Sequence, residues 1–183
     1  MNRKLSLLQR TLFASLLSIG LLPAAHAYPW TSTGSTGTPD EDALPTDVAP
    51  GKITMNMPYA TLKNTQASMT ATIRYNVTAV FDTSYNFTPY LQMRFLDSGT
   101  TTQVYAVLRA YNTTTGVSRT LATLDSNSFA ASAAYQTQSA CTPNNQWIND
   151  FVNEVYYVDV TLSRTSTTGS AAVAALRVNE CLW

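Results

Sequence analysis

The clearest pattern in the chain runs over residues 68–82. Met69, Ala71, Ile73, Tyr75, Val77, Ala79 and Phe81 fall on one face, and Thr70, Thr72, Arg74, Asn76 and Thr78 fall on the other. Strict period-two alternation sets one face against a core and the other against water. A helix would scatter the same residues around its circumference. Shorter runs predict strands at 52–59, where Pro58 marks an end or an edge position, and at 90–97, 103–111 and 117–125. Residues 103–111 are apolar on both faces, Val104, Ala106 and Leu108 against Tyr105, Val107 and Tyr111, which predicts a central strand.

The strongest strand–turn–strand signal closes the chain. Tyr156, Val158, Val160 and Leu162 share a face over 154–164, residues 165–170 turn, and Ala172, Ala174, Leu176 and Val178 alternate back over 171–181. This predicts a final hairpin. Residues 126–140, rich in Ala and Ser, read equally as a short helix, a long loop or an edge strand. Residues 142–153 carry one or two helical turns by the spacing of Trp147, Ile148, Phe151 and Val152. Turns every eight to fifteen residues between short strands are the pattern of an all-β fold. The expectation is a single antiparallel β-sandwich over 52–183, jelly-roll or immunoglobulin-like, with about seven or eight strands.

What precedes that domain reads differently. Residues 1–27 have a positive start (Arg3, Lys4, Arg10), an apolar run over 12–22 and the small-x-small triplet Ala25-His26-Ala27, which predicts a cleaved signal peptide. The run is too short to span a bilayer comfortably, so no membrane-spanning segment is expected after cleavage. Residues 28–51 are rich in Thr, Ser, Gly and Pro around the acidic cluster Asp40-Glu41-Asp42, and read as a disordered linker. Those three carboxylates in a flexible run are no preorganised calcium cage. The location that follows is extracytoplasmic: periplasm, cell surface or medium.

Charge and cysteine usage narrow the chemistry. Residues 28–183 hold eight Lys/Arg against eleven Asp/Glu, with no basic cluster, so nucleic acid is not an expected partner. The only histidine, His26, lies in the predicted signal, which leaves no His for a nucleophilic triad or a metal site. No cofactor is expected. Cys141 and Cys181, the only cysteines, are expected to pair in an exported chain.

The candidate binding residues are Trp147 with Asn144, Asn145, Gln146, Asn149 and Asp150. An aromatic ring offers an apolar face to the C–H side of a sugar, and flanking amides and carboxylates bond its hydroxyls. The same residue types also serve as a core plug and turn caps. Tyr75, Tyr90, Tyr105, Tyr111, Tyr156 and Tyr157 form a second candidate surface, with cross-strand packing as the alternative. Asp82, Asp97, Asp125, Asp150, Glu154 and Asp159 are the carboxylates from which a glycosidase pair would be drawn, Asp150 and Glu154 being the closest in sequence. No nucleophile, phosphate-loop or metal motif is present. The Asn-x-Thr triplets at Asn76, Asn86 and Asn112 are incidental in a chain this rich in Asn and Thr.

The expected function is a secreted, non-catalytic binding module for carbohydrate or another cell-surface component. Two alternatives stand beside it: a structural or surface-assembly subunit, adhesin- or pilus-like, and a carboxylate-pair glycoside hydrolase. Export, size and one cysteine pair suit a pilus-type subunit. The late cysteines, Leu182 as next-to-last residue and a non-alternating N-terminal segment do not.

Overall fold

A computed structural model of the chain describes residues 30–44, 51–78, 88–141 and 150–181. Eleven strands run through them: β1 Trp30–Thr33, β2 Thr38–Pro39, β3 Ile53–Asn56, β4 Tyr59–Leu62, β5 Met69–Val77, β6 Pro89–Asp97, β7 Thr102–Asn112, β8 Ser118–Asp125, β9 Ser132–Cys141, β10 Glu154–Arg164 and β11 Ala171–Glu180. They build two antiparallel sheets. The front sheet has the order β3-β4-β11-β6-β9, with β1 also paired to β11; the back sheet has the order β2-β5-β10-β7-β8.

Strand order identifies the architecture. Taking β4 to β11 as first to eighth, the front sheet reads first, eighth, third, sixth, and the back sheet second, seventh, fourth, fifth. The last strand pairs with the first, and most connections cross from one sheet to the other. That is a jelly roll, the two-sheet solution that wraps Greek keys around one core. An immunoglobulin-like fold divides its strands differently, and that alternative falls.

The alternation over β5 produces what it predicts: Met69, Ala71, Ile73, Tyr75 and Val77 are buried, while Arg74 and Asn76 are exposed. β7 is central and apolar on both faces, with Val107 6% exposed although it points away from the core. Ile73, Leu91, Met93, Phe95, Leu108 and Leu162 are fully buried between the sheets, each stabilising the fold by roughly 1.5–3 kcal/mol relative to exposure. The ambiguous segment 126–140 resolves into a 3-10 turn, Ser126–Ser128, and edge strand β9.

Three expectations are corrected. The described strands number eleven, because 52–59 splits at the Met57-Pro58 turn into β3 and β4 and because the N-terminal segment adds two more. The final strands are placed well, but they form no hairpin: β10 lies in the back sheet and β11 in the front, so 165–170 is a bridge between layers. Arg164 holds that bridge. Its buried guanidinium donates to the carbonyl oxygens of Ser166 (2.6 Å), Lys63 (2.9 Å), Thr168 (3.2 Å) and Gly169 (2.8 Å). A β-bulge between Val173 and Ala175 also shifts the parity of β11. Ala171, Val173, Leu176 and Val178 therefore face the core, and Ala172 and Ala174 face outward.

The third correction is the linker. In its described part, residues 30–44 are built into the sandwich as a strap. β1 pairs with β11 from Trp30↔Val178 to Thr33↔Ala175, and Trp30 is buried in the core. A 3-10 turn over Gly34–Thr36 follows, and Thr38–Pro39 then pairs with β5 in the other sheet. The composition argument failed because one tryptophan and two unpaired strand edges supply what a Thr/Ser/Gly segment lacks by itself. Gly34 lets the strap sit close. A Cβ there would lie 2.0 Å from the carbonyl oxygen of Val173. Its own carbonyl accepts a hydrogen bond from the buried Tyr75 hydroxyl at 2.6 Å, and burial pushes that phenol well above its usual pKa.

Cys141 and Cys181 form the expected disulfide, with Cα atoms 5.9 Å apart. It joins the ends of β9 and β11, which have β6 between them.

Candidate functional site

Among the described residues, the outward face of the front sheet carries two arginines, Arg94 and Arg177, with no carboxylate within ion-pair distance. Residues opposite one another on paired strands share a face, so register sets out its rows. One row runs Thr33, Ala175, Arg94, Thr137, and the next Thr31, Arg177, Gln92, Ser139. Asn179, Tyr90 and Cys141 follow at one end, and Thr61, Ala172 and Leu96 lie at the other. From Tyr90 to Leu96 along β6 the face is about 20 Å long.

The face is a trough. β11 and β6 lie between β4 and β9, which on a flat sheet would set those strands about 14 Å apart. Yet the rings of Tyr59 on β4 and Tyr135 on β9 stack with centroids 4.9 Å apart. The tyrosines bridge one end of a curled surface, which explains why Ala172 is 0% exposed although it points away from the core. Burial, helped by the neighbouring Tyr59, raises the Tyr135 phenol above its ordinary pKa. Beyond the bridge lies a depression of about 370 Å³ whose lining includes Thr31, Gln92, Arg94, Thr137 and Arg177. A second, about 290 Å³, is lined in part by Tyr90, Asn179 and Glu180 and shares Gln92 and Arg177 with the first. The two make one groove.

Its polar groups are available. Arg94 lies over the Tyr135 ring, Cζ 5.8 Å from the centroid, with a long contact to Thr137 Oγ1 at 3.4 Å. Gln92 donates from Nε2 to the Tyr90 hydroxyl at 2.9 Å. Among the described residues neither Arg94 nor Arg177 has a carboxylate within ion-pair distance. The back sheet's outward face contrasts with this. There Arg74 makes a two-pronged pair with Asp159 at 2.7 and 2.9 Å and covers the Tyr157 ring at 4.3 Å. Arg109 approaches the same carboxylate at 3.9 Å. That surface satisfies itself.

Trp147, Asn144, Asn145, Gln146 and Asn149 lie outside the described residues, as does Asp82. Asp150 accepts from the Asn153 backbone N–H at 2.9 Å and from its side-chain amide, which lowers its pKa. Of the tyrosines, Tyr75 and Tyr156 are core; Tyr105, Tyr111 and Tyr157 face outward on the back sheet, and Tyr90 alone reaches the groove. Asp97 is buried and accepts from the hydroxyls of Thr102 (2.6 Å) and Ser126 (2.5 Å). Asp125 accepts from Gln103 at 2.8 Å. Tyr59, Tyr135, Arg94, Arg177 and the strap threonines were missed. Tyr135 sat in the ambiguous segment, and nothing in sequence shows that β4 and β9 curl together.

Glu154 is committed elsewhere. Arg119 grips it with Nη2 at 2.7 Å and Nε at 3.1 Å, and the Tyr156 hydroxyl donates to it at 2.6 Å. Arg119 above all holds its pKa below the ordinary glutamate range. A glycosidase acid needs the opposite shift. Because the folded pKa is depressed, this pair stabilises the fold above the unfolded value of about 4.3, and the contribution fades as pH falls through the lower folded value. Glu154→Gln is accordingly expected to flatten the acid limb of a stability-against-pH curve below about pH 4.5. Identical acid limbs for variant and parent in urea unfolding would refute the assignment.

No cluster of metal-ligating residues occurs among the described residues, and no helix among them is long and apolar enough to cross a membrane. No protein-family model and no curated protein matches the chain. Solved structures similar to it include a "xylan-binding module CBM15", at 10% identity and a TM-score of 0.49 over 85% of this chain and 97% of that one. A family two carbohydrate esterase from Cellvibrio japonicus matches at 10% identity and 0.40, over 85% of this chain and 34% of the esterase. The CBM22-1-GH10 portion of a Clostridium thermocellum xylanase complexed with xylohexaose matches at 10% and 0.39, over 87% and 29%.

Proposed function

We propose that this chain is an exported glycan-binding module that holds its ligand in the front-sheet groove without cleaving it. The observation that carries the reading is the row of donors along the trough floor, Gln92, Arg94 and Arg177, with no carboxylate within ion-pair distance of either arginine and with tyrosines at both ends. A sugar chain presents hydroxyls to such donors and C–H faces to such rings. Beyond the tyrosine bridge the groove runs about 13 Å from Arg94 to Tyr90 along β6, which takes more than one sugar ring of a polymer. The carboxylates fit this reading: among the described residues Glu180 is the acid that lines the groove, and one carboxylate does not make the pair that glycoside cleavage needs.

Affinity electrophoresis against a panel of soluble plant, fungal and bacterial polysaccharides tests this. The protein is expected to be retarded by at least one glycan. Tyr90→Ala with Gln92→Ala is expected to abolish the retardation while the unfolding midpoint stays near that of the parent, and Tyr105→Ala on the back sheet leaves binding intact. Retardation by none of the panel, or full binding by the Tyr90/Gln92 variant, sinks the proposal.

A further inference from the structure

Resting on that reading, we infer that the bound glycan is acidic, and that Arg94 and Arg177 hold its carboxylates. The two arginines are diagonal neighbours across the β6–β11 pair, since Arg94 opposes Ala175 and Gln92 opposes Arg177. Diagonal neighbours of this kind sit about 7–8 Å apart, with Gln92 beside both. Both guanidinium groups line the same depression, and no acid is among the residues that line it. The nearest charged residue lining the adjoining depression is Glu180, whose carboxylate is beyond ion-pair distance of Arg177.

Like charges at neighbouring positions of a sheet repel each other, and the other arginines among the described residues are not left so placed. Arg74, Arg109 and Arg119 have carboxylates within 4 Å, and buried Arg164 has four carbonyls. An uncompensated pair in a groove is complementary to anionic groups spaced along a ligand. A guanidinium presents a planar fork of donors that matches a carboxylate two-pronged. Neutral sugar rings pack beside these contacts on Tyr90 and the Tyr59/Tyr135 pair, so the ligand class is a polysaccharide that carries hexuronate units.

Matched pairs of polymers test this, each pair sharing a backbone and differing in charge: polygalacturonate with its methyl ester, and glucuronoxylan with its carboxyl-reduced form. Dextran sulfate and neutral xylan complete the set. The acidic member of at least one pair is expected to bind roughly tenfold or more tighter than its neutral form, with the preference shrinking as salt rises. Arg94→Gln with Arg177→Gln is expected to erase the preference, bringing the acidic member of the pair down to the affinity of its neutral form. Equal binding of both members of each pair, or a preference that survives in the double variant, overturns the inference while glycan binding stands. Dextran sulfate bound as tightly as the best uronate overturns it too, as capture of any polyanion. Binding of no polymer at all overturns both the inference and the reading beneath it.

Discussion

Replacing Cys141 and Cys181 together with serine is expected to lower stability by about 4 kcal/mol. The bond closes a loop forty residues long in sequence, and in the chain-entropy account its main effect is to deny conformations to the unfolded state. In the folded state it ties β9 to β11 across β6 at the Tyr90 end of the groove. The m-value in urea is expected to rise as well, because an uncrosslinked chain exposes more surface on unfolding. A loss below about 1 kcal/mol would contradict the account, since it would mean that the unfolded chain is already confined without the bond.

Gly34→Val is expected to cost on the order of 3 kcal/mol, at the upper end for overpacking. A Cβ at this position meets backbone on two strands: the Val173 carbonyl at 2.0 Å and the Ala60 nitrogen at 3.1 Å. Neither is the mobile end of a side chain, so the strap itself has to lift. Lifting breaks the Tyr75–Gly34 hydrogen bond and loosens β1 from β11. It also removes Thr31 and Thr33 from the groove wall, so glycan affinity is expected to fall together with stability. Thr38→Ala, at an exposed position four residues on, is the control and should change stability by less than about 0.5 kcal/mol. Equal unfolding midpoints for Gly34→Val and the parent would show that the strap is not seated as described.

Local period was legible in the sequence, and spatial arrangement was not. The alternation over β7 and β10 placed strands to within a residue, that over β5 found its start but ran past its end at Val77, and all three sorted Ile73, Leu108 and Val160 into the core, because a strand's faces are set by parity alone. Parity failed on β11, where one extra residue at the bulge turned Ala172 outward and Leu176 inward. The β10–β11 turn failed for a different reason. A loop of six residues serves a hairpin or a bridge between layers equally well, and Arg164, which anchors this bridge, looks in sequence like any strand-end arginine. The strap failed on composition, since Thr, Ser and Gly are poor at making a core yet adequate at completing one.

The candidate site was legible only in kind. Aromatic rings beside amides are the residue types that the sequence concentrates around Trp147, which lies outside the described residues. The groove instead gathers Tyr59, Tyr90, Gln92, Arg94, Tyr135 and Arg177 from four strands spread over 119 positions of the chain. Only strand order and register bring them together.

Backbone amide shifts followed during titration with a glycan that the protein retains test the central claim most directly. Perturbations are expected along the outward rows of β1, β6, β9 and β11, strongest at Gln92, Arg94, Thr137 and Arg177, with the back sheet around Tyr105 and Tyr157 unmoved. Shifts confined to the back sheet or to residues 142–150, with the front-sheet rows unmoved at saturation, would contradict it.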